Sequence, residues 1–330
     1  MKKNRKIIVV IAGKNFNSIR DCLSEYANII VKQVDVNKNI ERIEKCDVLI
    51  PAMTPINKDI INRAKHLKLI QQWGAGLEGI DIDAATKRGI AVANVPTNGT
   101  YNAESVAEWS VMAAIAISRS YPSIHKSVLK GGPWGFPVGE SLLFKRVGII
   151  GFGGIGRALA KRLKPFECEI VSVKRTADDA LAQEYGLKWL KSIEFLDELL
   201  STSDYIFLCL PLNDSSINLL GDREFSIIKK GSYIINASRG KIINREAFFK
   251  ALRNGHIKAA ALDVFWEEPT MKGDKDLTLK NLLLTPHIAG VTNISYKHIA
   301  KAVVENIYLV MNNKEPQNCI NTDYINYKNG

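Results

Sequence analysis

Gly151, Gly153 and Gly156 stand in the order G-x-G-x-x-G, directly after the apolar run VGII and running into the helix-forming stretch IGRALAKRL. Each glycine has a mechanical reading. Gly151 makes the tight turn, Gly153 lets backbone approach a pyrophosphate, and Gly156 lets the helix pack on the strand. With Gly154 and Ile155 between them, they form a candidate dinucleotide-binding loop whose anion is stabilised by the helix N-terminus. After the next apolar strand, EIVSV, such folds carry an acid that accepts from the ribose hydroxyls; here Lys174 stands there, followed by Arg175 and Thr176. Two cations and a hydroxyl suit a phosphate monoester, which an acid would repel. The expected cofactor is NADP(H), with NAD(H) possible if the pair is only a solvated basic turn.

The elements around this loop alternate. KIIVVI (6–11), DVLIP (47–51), LIQQW (69–73) and IAVAN (90–94) are short apolar runs separated by helix-compatible segments, a pattern of βα units and a parallel sheet. A helix is expected from about Ala103 to Ser118, capped by Asn102. A Gly/Pro-rich stretch, GGPWGFPVGE (131–140), interrupts the pattern. It restarts with KRVGII, CEIVSV, YIFLCL, SYIINA, KAAALDV and NLLLTP, so residues 145–287 read as a second doubly wound unit. A last helix, from about Ser295 to Met311, is expected to return the chain to the first unit. The expected fold is α/β with two Rossmann-like domains built on parallel sheets. Residues 1–102 and 293–330 form a discontinuous substrate domain, and 103–292 the inserted dinucleotide-binding domain.

Composition narrows the function classes. The net charge of +11 comes from lysines spread along the chain, which fits anionic small ligands and brings no zinc-finger or RNP-type pattern with it, so nucleic acid is not an expected partner. The start, MKKNRKIIVVIAG, imitates a signal peptide, but its apolar run is short and ends at Lys14, so a first strand is the reading. No apolar stretch reaches the length of a membrane span. Five cysteines without CxxC spacing imply a reducing, cytoplasmic compartment. No His/Cys/carboxylate cluster has metal-ligand spacing, so no metal is expected.

Six segments in order, GAGLEGID (74–81), SVAEWSV (105–111), VGIIGFGGIGRALA (147–160), INASRGKIIN (235–244), AALDVFWEEP (260–269) and LTPHIAGVT (284–292), make the chain resemble the D-isomer-specific 2-hydroxyacid dehydrogenases over nearly its whole length. Within that family it is most similar to the glyoxylate/hydroxypyruvate reductase group. The resemblance implies reduction of a small 2-keto acid to the D-2-hydroxy acid by hydride from NADPH. It also implies a homodimer, with Trp134 and Phe136 reaching toward the partner unless their loop is plain surface. Two other readings stay open. One is an NAD-dependent member such as a phosphoglycerate dehydrogenase, which would need an acid in place of Lys174 and carries an added C-terminal domain. The other is a non-catalytic, cofactor-sensing scaffold like the family's corepressors, against which stands the lack of an appended regulatory tail.

Reduction of a 2-keto acid needs a carboxylate clamp and a proton donor. Arg239 follows the strand SYIINA, at the end where open α/β sheets bind ligands, and its planar fork can hold carboxylate and carbonyl oxygens together. His287 follows LLLTP and carries the side chain whose unperturbed pKa lies nearest neutrality, and Glu268 in WEEP can orient its imidazole and favour the protonated form. By resemblance these are the family's catalytic Arg, Glu and His. The resemblance also implies that Asp263 binds the nicotinamide carboxamide, with helix or turn capping as the alternative, that Pro211 lies beside the adenosine, and that Ser238 belongs to the cofactor site. Ala75 and Gly76 would offer N–H groups to the substrate carboxylate alongside Arg239 and His287. His66, His125, His256 and His298 lack such context and read as structural or surface residues.

Overall fold

Short runs of Ile, Val and Leu become parallel strands where both of their faces can be covered, and so read as continuous rather than alternating apolar sequence. The computed structural model describes residues 5–327; residues 1–4 and 328–330 lie outside the described residues. The chain divides into two units. One comprises the residues up to Asn102 and those from Thr292 onward, and the other is Ala103–Val291.

The first unit is built on strands β1 (Ile7–Ala12), β2 (Ile29–Val34), β3 (Val48–Ile50), β4 (Leu69–Gln71) and β5 (Ala91–Ala93), all parallel in the order β2-β1-β3-β4-β5. Alternation along β1 sorts its side chains. Val9 and Ile11 join a core with Ile299, Val303 and Ile307 of the helix Asn293–Met311, whereas Val10 and Ala12 pack with Ile60, Ile61 and Ala85 on the other face. The returning helix thus covers one side of the first sheet. It starts two residues before Ser295, because Thr292 caps it by accepting from Ser295 N at 3.2 Å.

The second unit carries β6 (Arg146–Ile150), β7 (Glu169–Lys174), β8 (Trp189–Ser192), β9 (Tyr205–Leu208), β10 (Ser232–Asn236), β11 (Ile257–Leu262) and β12 (Leu282–Leu284). Their order is β12-β11-β10-β9-β6-β7-β8, again all parallel. Val147, Ile149, Phe207 and Ile235 face the helices Asn102–Ser118 and Gly154–Leu163, and Ile150, Val171, Ile206 and Ile234 face the opposite layer around Leu199, Phe248 and Leu252. The expected α/β class with two parallel, doubly wound sheets is therefore the observed one. Asn102, expected as a helix cap, is instead the first helical residue, since Tyr101 takes a left-handed φ of 57° and closes the turn one residue early. The strand order reverses at β6, which has β7 on one side and β9 on the other. A crevice at the carboxyl ends of these strands is the position where open α/β sheets hold ligands.

Candidate active site

Gly151 follows β6 with φ of 94°, and a Cβ there would stand 2.6 Å from the carbonyl oxygen of Cys209 beyond β9, so only glycine makes this turn. A Cβ on Gly156 would meet Gly151 O at 2.5 Å, whereas one on Gly153 would meet nothing within 4 Å. The turn and the helix start are therefore tightly packed, and the loop's outer side is open. This cradle, at the strand-order reversal and the start of the ten-residue helix Gly154–Leu163, fits a dinucleotide pyrophosphate.

Lys174 is the last residue of β7, and Arg175 and Thr176 follow it as exposed turn residues. Lys174 has a neighbour that its own segment does not announce: Asp178 Oδ2 lies 3.2 Å from its Nζ. Pro211, beyond β9, is exposed, and its carbonyl accepts from Ser216 Oγ at 2.8 Å. Ser238 is buried, its Oγ donating to Leu208 O at 2.6 Å and its N–H to Asn236 Oδ1 at 2.9 Å. What the structure gives Ser238 is a tie between the ends of β9 and β10. Asn236 completes the tie by donating from Nδ2 to Arg239 O at 3.0 Å.

Arg239 leaves this braced turn half-buried, its guanidinium donating to Ser238 O at 2.8 Å. The next residue has to be glycine, because a Cβ on Gly240 would lie 2.1 Å from the carbonyl carbon of Phe265. That close approach brings the Arg239 turn against the loop after β11. Within this loop Trp266 Nε1 donates to Ile243 O at 2.6 Å, and Glu268 Oε1 accepts from Phe265 N at 2.8 Å. The second carboxylate oxygen of Glu268 lies 2.6 Å from His287 Nδ1.

His287 follows β12 in a left-handed conformation, φ 56°, that a side chain other than glycine's rarely adopts without support. The support is Asp263. This residue follows β11, is 1% exposed, and accepts from Thr285 Oγ1 at 2.6 Å, Ile288 N at 2.8 Å and Ala289 N at 2.7 Å. Its carbonyl also accepts from His287 N at 2.8 Å. Asp263 therefore anchors the turn that presents His287.

Burial alone would push the His287 imidazole down, but the hydrogen bond and charge of Glu268 outweigh it and hold its pKa above the usual value. Burial likewise pushes Glu268 up, and the imidazole, the Phe265 N–H and nearby Arg239 together bring it below the usual range. Both shifts favour an imidazolium–carboxylate pair. Glu268→Gln removes the anion, so the imidazole loses its proton at lower pH and the basic limb of kcat/KM for reduction is expected to move down. A pH–rate profile checks this, and an unchanged limb would reject the pairing.

Three expected residues, Arg239, Glu268 and His287, thus meet where β10, β11 and β12 end side by side. Ala75 and Gly76 belong to the first unit, beyond β4, where Asn94 Nδ2 holds Ala75 O at 2.8 Å and Val95 N donates to Gly74 O at 3.0 Å. Of the remaining histidines, His256 and His298 spend a ring nitrogen on backbone carbonyls, Ile228 O at 2.7 Å and Ile294 O at 2.9 Å. His125 stacks on Tyr121 at 6.2 Å. Among the described residues, no helix is long and apolar enough to cross a membrane.

Comparison with known proteins gives the family of the chain. Residues 111–289 match the family model "D-isomer specific 2-hydroxyacid dehydrogenase, NAD binding domain". The chain is 33% identical over 296 residues to a glyoxylate reductase of Thermococcus litoralis, covering 87% of each. It is 35% identical over 285 residues to a D-3-phosphoglycerate dehydrogenase of Methanocaldococcus jannaschii, covering 86% of this chain and 53% of that one. Among solved structures, the TT0316 protein of Thermus thermophilus superposes with a TM-score of 0.82 at 28% identity, over 95% of this chain and all of that one. With the nucleotide-binding model matching over more than half of its length and reductase relatives spanning most of it, the chain belongs to the D-isomer-specific 2-hydroxyacid dehydrogenases, oxidoreductases that use a nicotinamide cofactor.

Proposed function

We propose that the protein reduces a small 2-keto acid of the glyoxylate or hydroxypyruvate type to the D-2-hydroxy acid, with NADPH as the preferred reductant. The observation that carries the reading is the 2.6 Å contact of Glu268 with His287 Nδ1 beside Arg239. When bound, the cofactor supplies the hydride that reaches C2 of the substrate. Arg239 holds the substrate carboxylate and carbonyl oxygen in one plane with its guanidinium. His287, with Nδ1 committed to Glu268, gives the proton on Nε2 to the nascent alkoxide, and Glu268 favours the protonated imidazole that does so. The unit up to Asn102 and from Thr292 serves as the substrate domain, with Ala75 and Gly76 as its candidate substrate-binding residues. The Ala103–Val291 unit holds the dinucleotide through Gly151, Gly153, Gly154, Ile155 and Gly156.

Support for NADPH comes from Lys174, Arg175 and Thr176 at the end of β7, the position where the acid of an NAD-selective site would stand. A second reading, an NAD-dependent enzyme of the phosphoglycerate dehydrogenase kind, draws on the 35% identical archaeal relative and on Asp178 beside Lys174. A homodimer is proposed from the apolar arm that the second unit exposes, with Trp134 92%, Phe136 69%, Val138 89% and Phe144 81% exposed. Five free cysteines suit a reducing cytoplasm.

The experiment is a substrate panel of glyoxylate, hydroxypyruvate, pyruvate and 3-phosphohydroxypyruvate, each with NADPH and with NADH, followed by loss of nicotinamide absorbance. The expected result is the highest kcat/KM on glyoxylate or hydroxypyruvate with NADPH. Preference for the phosphorylated acid with NADH would establish the second reading, and no turnover on any would refute both.

A further inference from the structure

The turn that carries Lys174, Arg175 and Thr176 ends at Asp178, and the place of this acid is fixed from two sides. Its backbone N–H donates to Leu190 O of β8 at 3.2 Å. Its Oδ1 accepts from Leu181 N at 3.0 Å and so caps the helix Asp179–Tyr185. A side chain held in this way keeps its other oxygen 3.2 Å from Lys174 Nζ, with Lys174 27% and Asp178 37% exposed. The bond from Leu181 N, followed by the Lys174 ammonium, holds the carboxyl below its usual range, so it is an anion at neutral pH. The next acid, Asp179, is exposed and makes no ion pair with Lys174 among the described residues.

We infer that Asp178 is a specificity-determining residue: its carboxylate occupies Lys174 where a 2′-phosphate would bind, and so limits the preference for NADPH over NADH. The inference rests on Lys174 being the partner of that phosphate. A phosphate monoester within hydrogen-bond reach of Lys174 Nζ meets a carboxylate only a few ångströms away. Breaking a solvent-facing ion pair is a small penalty. The larger one is repulsion between the phosphate and an acid that the helix cap does not allow to swing away, on the order of three- to tenfold in affinity for water-screened charges at such a distance. NADH has a 2′-hydroxyl at the same place. It can donate to a carboxylate and escapes this repulsion.

Asp178→Asn separates charge from structure, because asparagine caps a helix as well as aspartate does. The primary readout is calorimetric binding of adenosine 2′,5′-bisphosphate and of adenosine 5′-monophosphate, which needs no turnover. The bisphosphate is expected to bind about three- to tenfold more tightly to Asp178→Asn than to the wild type, with the monophosphate changing by less than about twofold. The ratio of kcat/KM for NADPH over NADH is expected to rise in step. Asp179→Asn is the control for overall charge. An unchanged bisphosphate-to-monophosphate ratio in Asp178→Asn, or an equal change in Asp179→Asn, overturns the inference. Lys174→Ala tells this failure from that of the parent reading. If Lys174→Ala weakens the bisphosphate while Asp178→Asn is neutral, only the role of Asp178 falls; if Lys174→Ala has no effect on the bisphosphate, the NADPH reading of Lys174 and the inference fall together.

Discussion

His287→Ala is expected to lower kcat on the preferred 2-keto acid by about 10²- to 10⁴-fold, the contribution that a positioned general acid typically makes. The imidazole is the group whose proton neutralises the alkoxide, and the 2.6 Å contact with Glu268 favours its protonated form. Alanine leaves water as the only donor. Because the cofactor loop lies elsewhere on the sheet, KM for the nicotinamide should change little. Arg239→Ala is expected to fail by a different route, raising KM for the keto acid as well as lowering kcat, since the guanidinium holds the substrate before and during reduction. Steady-state kinetics with substrate and cofactor varied separately distinguish the two. A His287→Ala enzyme with near-normal kcat would mean that the proton comes from another group.

The parts of the fold that could be read in sequence are those whose physics is local. Strands such as β1, β9 and β10 lie inside their sheets, are buried on both faces, and show as unbroken apolar runs. Two of the edge strands, β2 and β8, escaped that reading. In IIVKQV, the sequence of β2, and in WLKS, that of β8, polar side chains interrupt the run because one side of an edge strand meets solvent. The glycine loop was legible because Gly151 and Gly156 answer contacts made within a few residues or with the neighbouring strand end. The Arg239, Glu268 and His287 group was legible by motif, but its geometry was not. Glu268 and His287 stand 19 residues apart and meet only because β11 and β12 are sheet neighbours.

Asp263 marks where sequence reasoning stopped short. Its position at a strand end invited a ligand role, and its three donors lie 22 to 26 residues further on, so its part in anchoring the His287 turn depends on the same strand adjacency. Asp178 was missed for a smaller reason. A Lys and an Asp four residues apart are ordinarily read as a helical pair, and here they face each other across a turn because the acid is tied down as a helix cap.

The double variant Lys174→Asp with Arg175→Ile is expected to reverse the cofactor preference, lowering the ratio of kcat/KM for NADPH over NADH by on the order of 10²- to 10³-fold. A hydrogen bond to a charged partner contributes about 1.5 to 3 kcal/mol, and two such contacts with the 2′-phosphate are removed together, less what solvent screening already takes from exposed groups. The aspartate also puts an acceptor where a ribose 2′-hydroxyl can use it. Together with the carboxylate of Asp178, held at the same turn by Leu181 N, it would present two anions to an incoming 2′-phosphate. The glycines of the loop are untouched, so kcat with NADH should stay near the wild-type value while its KM falls. Added salt should shrink the wild-type preference, because Arg175 and Thr176 face solvent. Equal kcat/KM for the two cofactors in the wild type, or an unchanged ratio in the double variant, would show that Lys174 and Arg175 form only a basic turn and would return the choice of cofactor to NAD.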